Sequence, residues 1–152
     1  MSSFKNLPMA LQKSLEERSH LKVIAGLNNF DLDSVTRIAT AAGRGSADLL
    51  DVACDPDLVR VAIKCSDIPV CVSAVDPHLF PPAIDAGAAM IEIGNFDSFY
   101  SQGRIFEAKE VLALTIETKT ILPNVFLSVT VPHTLPLDKQ SELALDLVQQ
   151  GA

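Results

Sequence analysis

A chain of 152 residues with 12 Lys and Arg against 19 Asp and Glu carries a formal charge of -7. The length suits one domain with a core of its own, with no need for disulfide or metal staples. The acidic balance excludes binding through phosphate neutralisation, which requires clustered Lys and Arg, so neither nucleic acid nor an anionic membrane is an expected partner.

The three cysteines, Cys54, Cys65 and Cys71, form no short CxxC pair and point to a reducing compartment. Cys71 lies inside an apolar run and is expected as a small buried hydrophobe. The N-terminal stretch has no apolar core of signal-peptide length, and no apolar run reaches the length of a membrane span. The expectation is a soluble, intracellular-type protein.

From residue 21 onward one rhythm repeats: a short apolar or β-branched run, a polar turn, then an amphipathic helix. A leading helix over Leu7–Ser19 precedes the first run, Leu21–Leu27. The next helix, Asp31–Ala42, has Leu32, Val35, Ile38 and Ala39 at helical spacing, Asp31 or Asp33 as cap and Gly43 as stop. The second run, Ala47–Ala53, leads into Asp55-Pro56 and a helix to Cys65. The third, Ile68–Val75, leads into a helical segment opened by Asp76-Pro77, interrupted by Pro81-Pro82 and expected to be short or broken. The fourth, Ala88–Gly94, is followed by the longest connector, Asn95–Ile105, and a helix over Phe106–Leu122. The fifth, Asn124–Val131, leads to a helix over Pro136–Gln150 with Leu143, Leu147 and Val148 on its apolar face.

Near-continuous apolar strands joined by helices predict a parallel sheet covered on both faces, an α/β fold. The segments GRGSADLLDVACD (43–55) and AGAAMIEIGNFD (86–97) repeat one pattern, placing Asp51 and Glu92 at the same phase of strands two and four. The chain ends at Gln150-Gly151-Ala152, where a sixth strand is due. A complete (β/α)8 barrel takes about 250 residues, so the reading is a parallel (βα)5 portion of a TIM-type barrel, truncated before units six to eight. Residues 1–20 form a leading helix packed on the domain, and residues 21–152 form the single partial-barrel domain. A sequential strand order is expected. A receiver or flavodoxin-like domain fits the length, but of its acids only Asp76 is in place, and Asn28-Asn29-Phe30 is no phosphate loop.

The runs KVIAGLNNFD (22–31), SADLLDVACDPDLV (46–59), PVCVSAVDP (69–77), GAAMIEIGNFDSFY (87–100) and FLSVTVPHTLPLDKQ (126–140) carry a resemblance. Together they resemble the uncharacterised (β/α)-barrel family of cyanobacteria and algal plastids known as a hypothetical chloroplast reading frame. The resemblance implies a phosphate-binding-type barrel whose members continue beyond residue 152. It implies a cyanobacterial cytoplasm or a plastid stroma as location. It transfers no catalytic residue and no phosphate ligand.

Barrel active sites lie at the C-terminal ends of the strands. Asp51 and Glu92 are acids inside apolar strands, where an unpaired carboxylate costs several kcal/mol. Alternate strands of a barrel feed one layer, so the two are expected at similar height as an acid–base pair, with a structural hydrogen-bond network as the competing reading. His133, after strand five, is a candidate general base. Asn28, Ser73, Asn95 and Thr130 are candidate substrate contacts at strand ends. Tyr100 and Arg104, on the long connector, suit a lid over an anionic small molecule or a packed rim segment. Asp51, Glu92 and His133 could together hold Mg²⁺ or Mn²⁺, but no ligand spacing demands an ion, and no metal residue or cofactor is assigned. Lys22 stands at the N-terminal end of strand one, away from the mouth, so imine chemistry is unsupported within this chain.

The expectation is therefore a lyase, synthase or isomerase acting on a small phosphorylated or carboxylated metabolite through a carboxylate pair. The alternative is a non-catalytic binding or regulatory protein on the same scaffold. Open strand edges predict a homo-oligomer.

Overall fold

In a computed structural model, which describes residues 3–94 and 96–152, five parallel strands form one sheet in the order β1-β2-β3-β4-β5. The strands are β1 (Lys22–Ile24), β2 (Leu49–Ala53), β3 (Val70–Ala74), β4 (Met90–Ile93) and β5 (Leu127–Val129). The helices are α1 (Met9–Glu16), α2 (Leu32–Arg44), α3 (Pro56–Ser66), α4 (Phe80–Asp85), α5 (Asp97–Tyr100), α6 (Ala108–Ile121) and α7 (Leu137–Gln149). This is the sequential order of a barrel wall, because the open alternative would require β1 to lie between β2 and β3.

The alternation of side chains divides the strands between two environments. Leu50, Val52, Val70, Val72, Ile91, Ile93 and Leu127 face the helices, in one core with Val35, Leu58, Phe80, Val111 and Leu143. Leu49, Cys71 and Met90 face the other way and meet Leu7 and Leu11 beside α1. The leading segment thus covers the lower part of the inner face, and Cys71 is fully buried there.

Local chemistry explains the helix starts. Asp31 accepts from the N–H groups of Asp33 and Ser34, and Asp55 accepts from those of Asp57 and Leu58. Three expectations shift. Gly43 does not stop α2, which runs on to Arg44 with Gly45 as its cap. A Cβ on Gly43 would lie 2.4 Å from the Ser66 carbonyl oxygen, so the glycine serves the close approach of α2 and α3. At Pro81-Pro82 the helical segment is short, as expected: α4 has six residues. The two prolines sit in the first turn of α4, where no donor is needed, and the preceding turn Pro77–Leu79 is 3₁₀. The long connector contains a short helix, α5.

The strand edges are the third difference. β2 and β3 are buried along their whole length, but β1 and β5 are only partly covered. Val148 is not on the buried face of α7. It is 69% exposed and, with Phe126, Val129 and Val131, lines a groove beside β5. Among the described residues β5 pairs only with β4. An apolar edge strand of this kind templates further pairing. We expect the 152-residue chain at micromolar concentration to self-associate through this edge, and Val148→Lys to weaken that association. Light scattering from a stable, cooperatively melting monomer would overturn the expectation.

Candidate functional site

The inner face carries a buried charged cluster. Lys22 Nζ lies 2.6 Å from Asp51 Oδ2 and 2.7 Å from Glu92 Oε2. Ser73 Oγ lies 2.8 and 2.9 Å from the two carboxylate oxygens of Asp51, which share its one donated proton. Asp51 is 1% exposed, whereas the Glu92 side chain keeps 13% and that of Lys22 21%.

Barrel geometry explains the meeting. Asp51 pairs in register with Cys71, and Cys71 with Met90, so Glu92 stands two residues further along than Asp51. An eight-stranded barrel with a shear of eight slips by about one residue per strand. Over two strands that slip places Asp51 and Glu92 in one layer. By the same stagger Lys22, Cys71 and Ser128 form the layer beneath. The lysine stem rises from the lower layer and delivers its ammonium between the two acids.

The electrostatics follow from burial and contact. Burial pulls the Lys22 ammonium down, but the groups facing it (Cys71, Asp51 and Glu92) outweigh that and hold its pKa above the ordinary lysine value. Burial drives the Cys71 thiol well above its usual range, so it is neutral near pH 7 and the two carboxylates are what retain the proton on lysine. Burial raises Asp51 above an ordinary carboxyl, with Lys22 and Ser73 opposing the shift.

The two acids are not equivalent. Both oxygens of Asp51 are taken, by Lys22 and Ser73. Glu92 gives Oε2 to Lys22, while its Oε1 has no donor among the described residues and, like the Thr130 hydroxyl, borders the space over Gly94. Gly94 makes room for both oxygens: a Cβ there would come within 2.5 Å of Thr130 Oγ1 and 2.8 Å of Glu92 Oε1. Gly94→Ala is therefore expected to displace Glu92 and Thr130 with little effect on the strand itself. A crystal structure of the variant with both oxygens unmoved would contradict this.

Two cavities flank the cluster. The lower one, about 230 Å³, is lined by Leu7, Leu11, His20, Lys22, Glu92 and Ser128, among others. The upper one, about 130 Å³, is at the strand ends and includes Asn28, Cys54, Ser73, Asp76 and Phe99. Ser73 links the upper cavity to Asp51.

The remaining candidates lie elsewhere. His133 is 70% exposed, with Asp97 at 3.3 Å and the Tyr100 ring edge-on at 5.3 Å between centroids. Neither partner belongs to the Lys22 cluster. Arg104 pairs with Glu110 and lies 4.5 Å from the centre of the Phe106 ring. Phe96 and Phe99 also pack on Phe106, so this connector is folded down as a rim segment. The Tyr100 hydroxyl is buried with no hydrogen-bond partner among the described residues. Asn95 lies outside the described residues. One sulfur or oxygen atom each of Asp51, Cys71 and Glu92 fall within 4.8 Å of one another, a spacing an ion could use. The Lys22 ammonium bonded to both carboxylates already supplies the cation between them.

Lys22 does begin β1, as the sequence suggests; what the sequence does not announce is that its ammonium reaches both acids. A lysine side chain spans about two strand residues, and that reach together with the stagger was the available signal.

Residues 4–152 match the family described as "Protein of unknown function (DUF561)". The chain belongs to this family. It is 47% identical over 134 residues to the uncharacterized protein ycf23 of Cyanophora paradoxa, covering 88% of this chain and 55% of that protein. It is 38% identical over 141 residues to ycf23 of Porphyra purpurea, covering 93% and 53%. The chain thus spans about half the length of the curated relatives it matches. Two crystal structures described as putative deoxyribose-phosphate aldolases share its fold. The one from Toxoplasma gondii ME49 has a TM-score of 0.65 at 19% identity, over 95% of this chain and 62% of that one. The one from Coccidioides immitis has 0.61 at 14%, over 88% and 55%. At such identity the likeness carries the barrel architecture and no chemistry. Among the described residues no helix is long and apolar enough to cross a membrane.

Proposed function

We propose that the barrel acts on a small phosphorylated or carboxylated metabolite by general acid–base chemistry, as a lyase, synthase or isomerase. The observation that carries this reading is the unequal pair: Asp51 saturated and buried, Glu92 held by Lys22 at one oxygen and open at the other. Glu92 Oε1 is the proton-transfer atom, and Thr130 and Ser73 are nearby hydroxyls for orienting a substrate. Lys22, Asp51 and Ser73 are positioning residues. Imine formation at Lys22 is not part of the proposal, because that chemistry needs a neutral amine and this ammonium is held charged by two carboxylates.

Proton transfer beside a carbonyl is shared by these three reaction types. It has a direct readout that requires no knowledge of the product. The full-length protein, incubated in D₂O with sugar phosphates and with hydroxy and keto acids, is expected to exchange a carbon-bound proton of at least one of them, as followed by ¹H NMR. Saturable binding without exchange across the set would favour the alternative, a non-catalytic binding or regulatory barrel. The family relatives and the acidic charge support a plastid stroma or cyanobacterial cytoplasm as the place of action, with a small molecule as ligand.

A further inference from the structure

We infer that the inner face of this chain receives the uncharged, hydroxyl- or carbonyl-bearing end of the substrate and rejects its anionic group. The inference rests on the acid–base reading above and narrows it. Two independent features support it.

The first is charge. Lys22 is the sole ammonium in the cluster and is already shared by Asp51 and Glu92, which leaves the cluster with one surplus negative charge. Among the described residues the upper cavity has no Lys, Arg or His in its lining, and Asp76 adds a further carboxylate. Burial and the neighbouring acids push the Cys54 thiol up to about 12, so it stays neutral, and its Sγ donates to the Leu79 carbonyl. Arg104 is occupied by Glu110 and the Phe106 ring.

The second is the state of the turns that follow β1, β2 and β3. Helix starts at strand ends are where a barrel or open α/β fold receives a phosphate, through free backbone N–H groups. Here each start is closed by its own aspartate. Asp31 accepts from Asp33 and Ser34, Asp55 from Asp57 and Leu58, and Asp76 from His78. These carboxylates take the donors an anion would need and also repel it. Among the described residues on the strand-end side, what remains open to a ligand is neutral or accepting: the Thr130 hydroxyl, Glu92 Oε1 and the exposed Asn28 side chain, while His20 lies in the lower cavity with its Nδ1 2.8 Å from Ser14 Oγ.

The test uses the ¹⁵N-labelled chain, in the assembly it adopts, with two probes at matched ionic strength: hydroxyacetone as the neutral end and inorganic phosphate as the anion. Hydroxyacetone is expected to shift the amides of Ser73, Gly94 and Thr130 saturably, with an affinity at least tenfold above that of phosphate there. In Asp55→Ala, phosphate is expected to begin shifting the amides of Asp57 and Leu58. Phosphate that matches or outcompetes hydroxyacetone at Ser73 and Thr130 overturns the inference, as does the absence of a shift with either probe. The two readings fail separately. Turnover unaffected by Glu92→Gln removes the acid–base role while the neutral-end preference stands. Phosphate seated on these amides with turnover still dependent on Glu92 removes only the present inference.

Discussion

Lys22→Met is expected to destabilise the protein by about 3 kcal/mol or more, and to do so more than any single change in the remaining cluster. Removing one partner of a buried ion pair leaves the other charge uncompensated, at a cost of roughly 3–5 kcal/mol. Here the orphan is Asp51, 1% exposed, whose other contact is one serine hydroxyl. The partial exposure of Lys22 places the expected loss toward the lower end. In a domain of this size that corresponds to a melting temperature lower by roughly 10 °C. The double variant Lys22→Met with Asp51→Leu is expected to recover most of the loss, because it removes the stranded charge along with its partner. The pH dependence supplies a second readout. The folded state raises the Lys22 pKa, so its contribution is fully present below the unfolded value near 10.5 and is lost as pH rises through the folded value. Wild type should therefore lose stability in that alkaline window, and Lys22→Met should lack this component. A melting temperature within about 2 °C of wild type at pH 7 would mean that Asp51 is not held by Lys22.

The parallel sheet, its sequential order and the two acids were legible because each rests on a local pattern. Apolar runs alternating with capped helices report a parallel sheet whatever lies beyond, and an acid inside such a run announces itself by its cost. The repeat of residues 43–55 in residues 86–97 even carried the phase that puts Asp51 and Glu92 in one layer. What failed depended on reach and partners. Lys22 begins its strand, and only the stagger of neighbouring strands shows that its ammonium arrives at the carboxylates. Arg104 reads as a free guanidinium among aromatics until Glu110, six residues on, takes it. His133 follows a strand end as a catalytic histidine would, yet α5 supplies Asp97 and Tyr100 to hold it at the surface. Val148 has the right helical spacing for burial, and its exposure reflects the absence of a sixth strand beside β5 among the described residues.

The division of labour between the acids makes the sharpest functional prediction. Glu92→Gln preserves shape and keeps an oxygen for Lys22 while removing the capacity to carry a proton. A positioned general acid or base contributes typically 10²–10⁴-fold, so proton exchange by the full-length protein is expected to fall by about that factor. The melting temperature should change little, because Glu92 is partly open to solvent and Asp51 still neutralises Lys22. Asp51→Asn should show the opposite emphasis. It leaves Lys22 with one anionic partner and replaces with a neutral amide the carboxylate whose two oxygens share the Ser73 hydroxyl proton, so stability falls markedly and activity falls through misplacement of Glu92. Parallel losses of melting temperature and exchange in both variants would make the cluster a structural clamp across β1, β2 and β4, with its catalysis located elsewhere in the barrel.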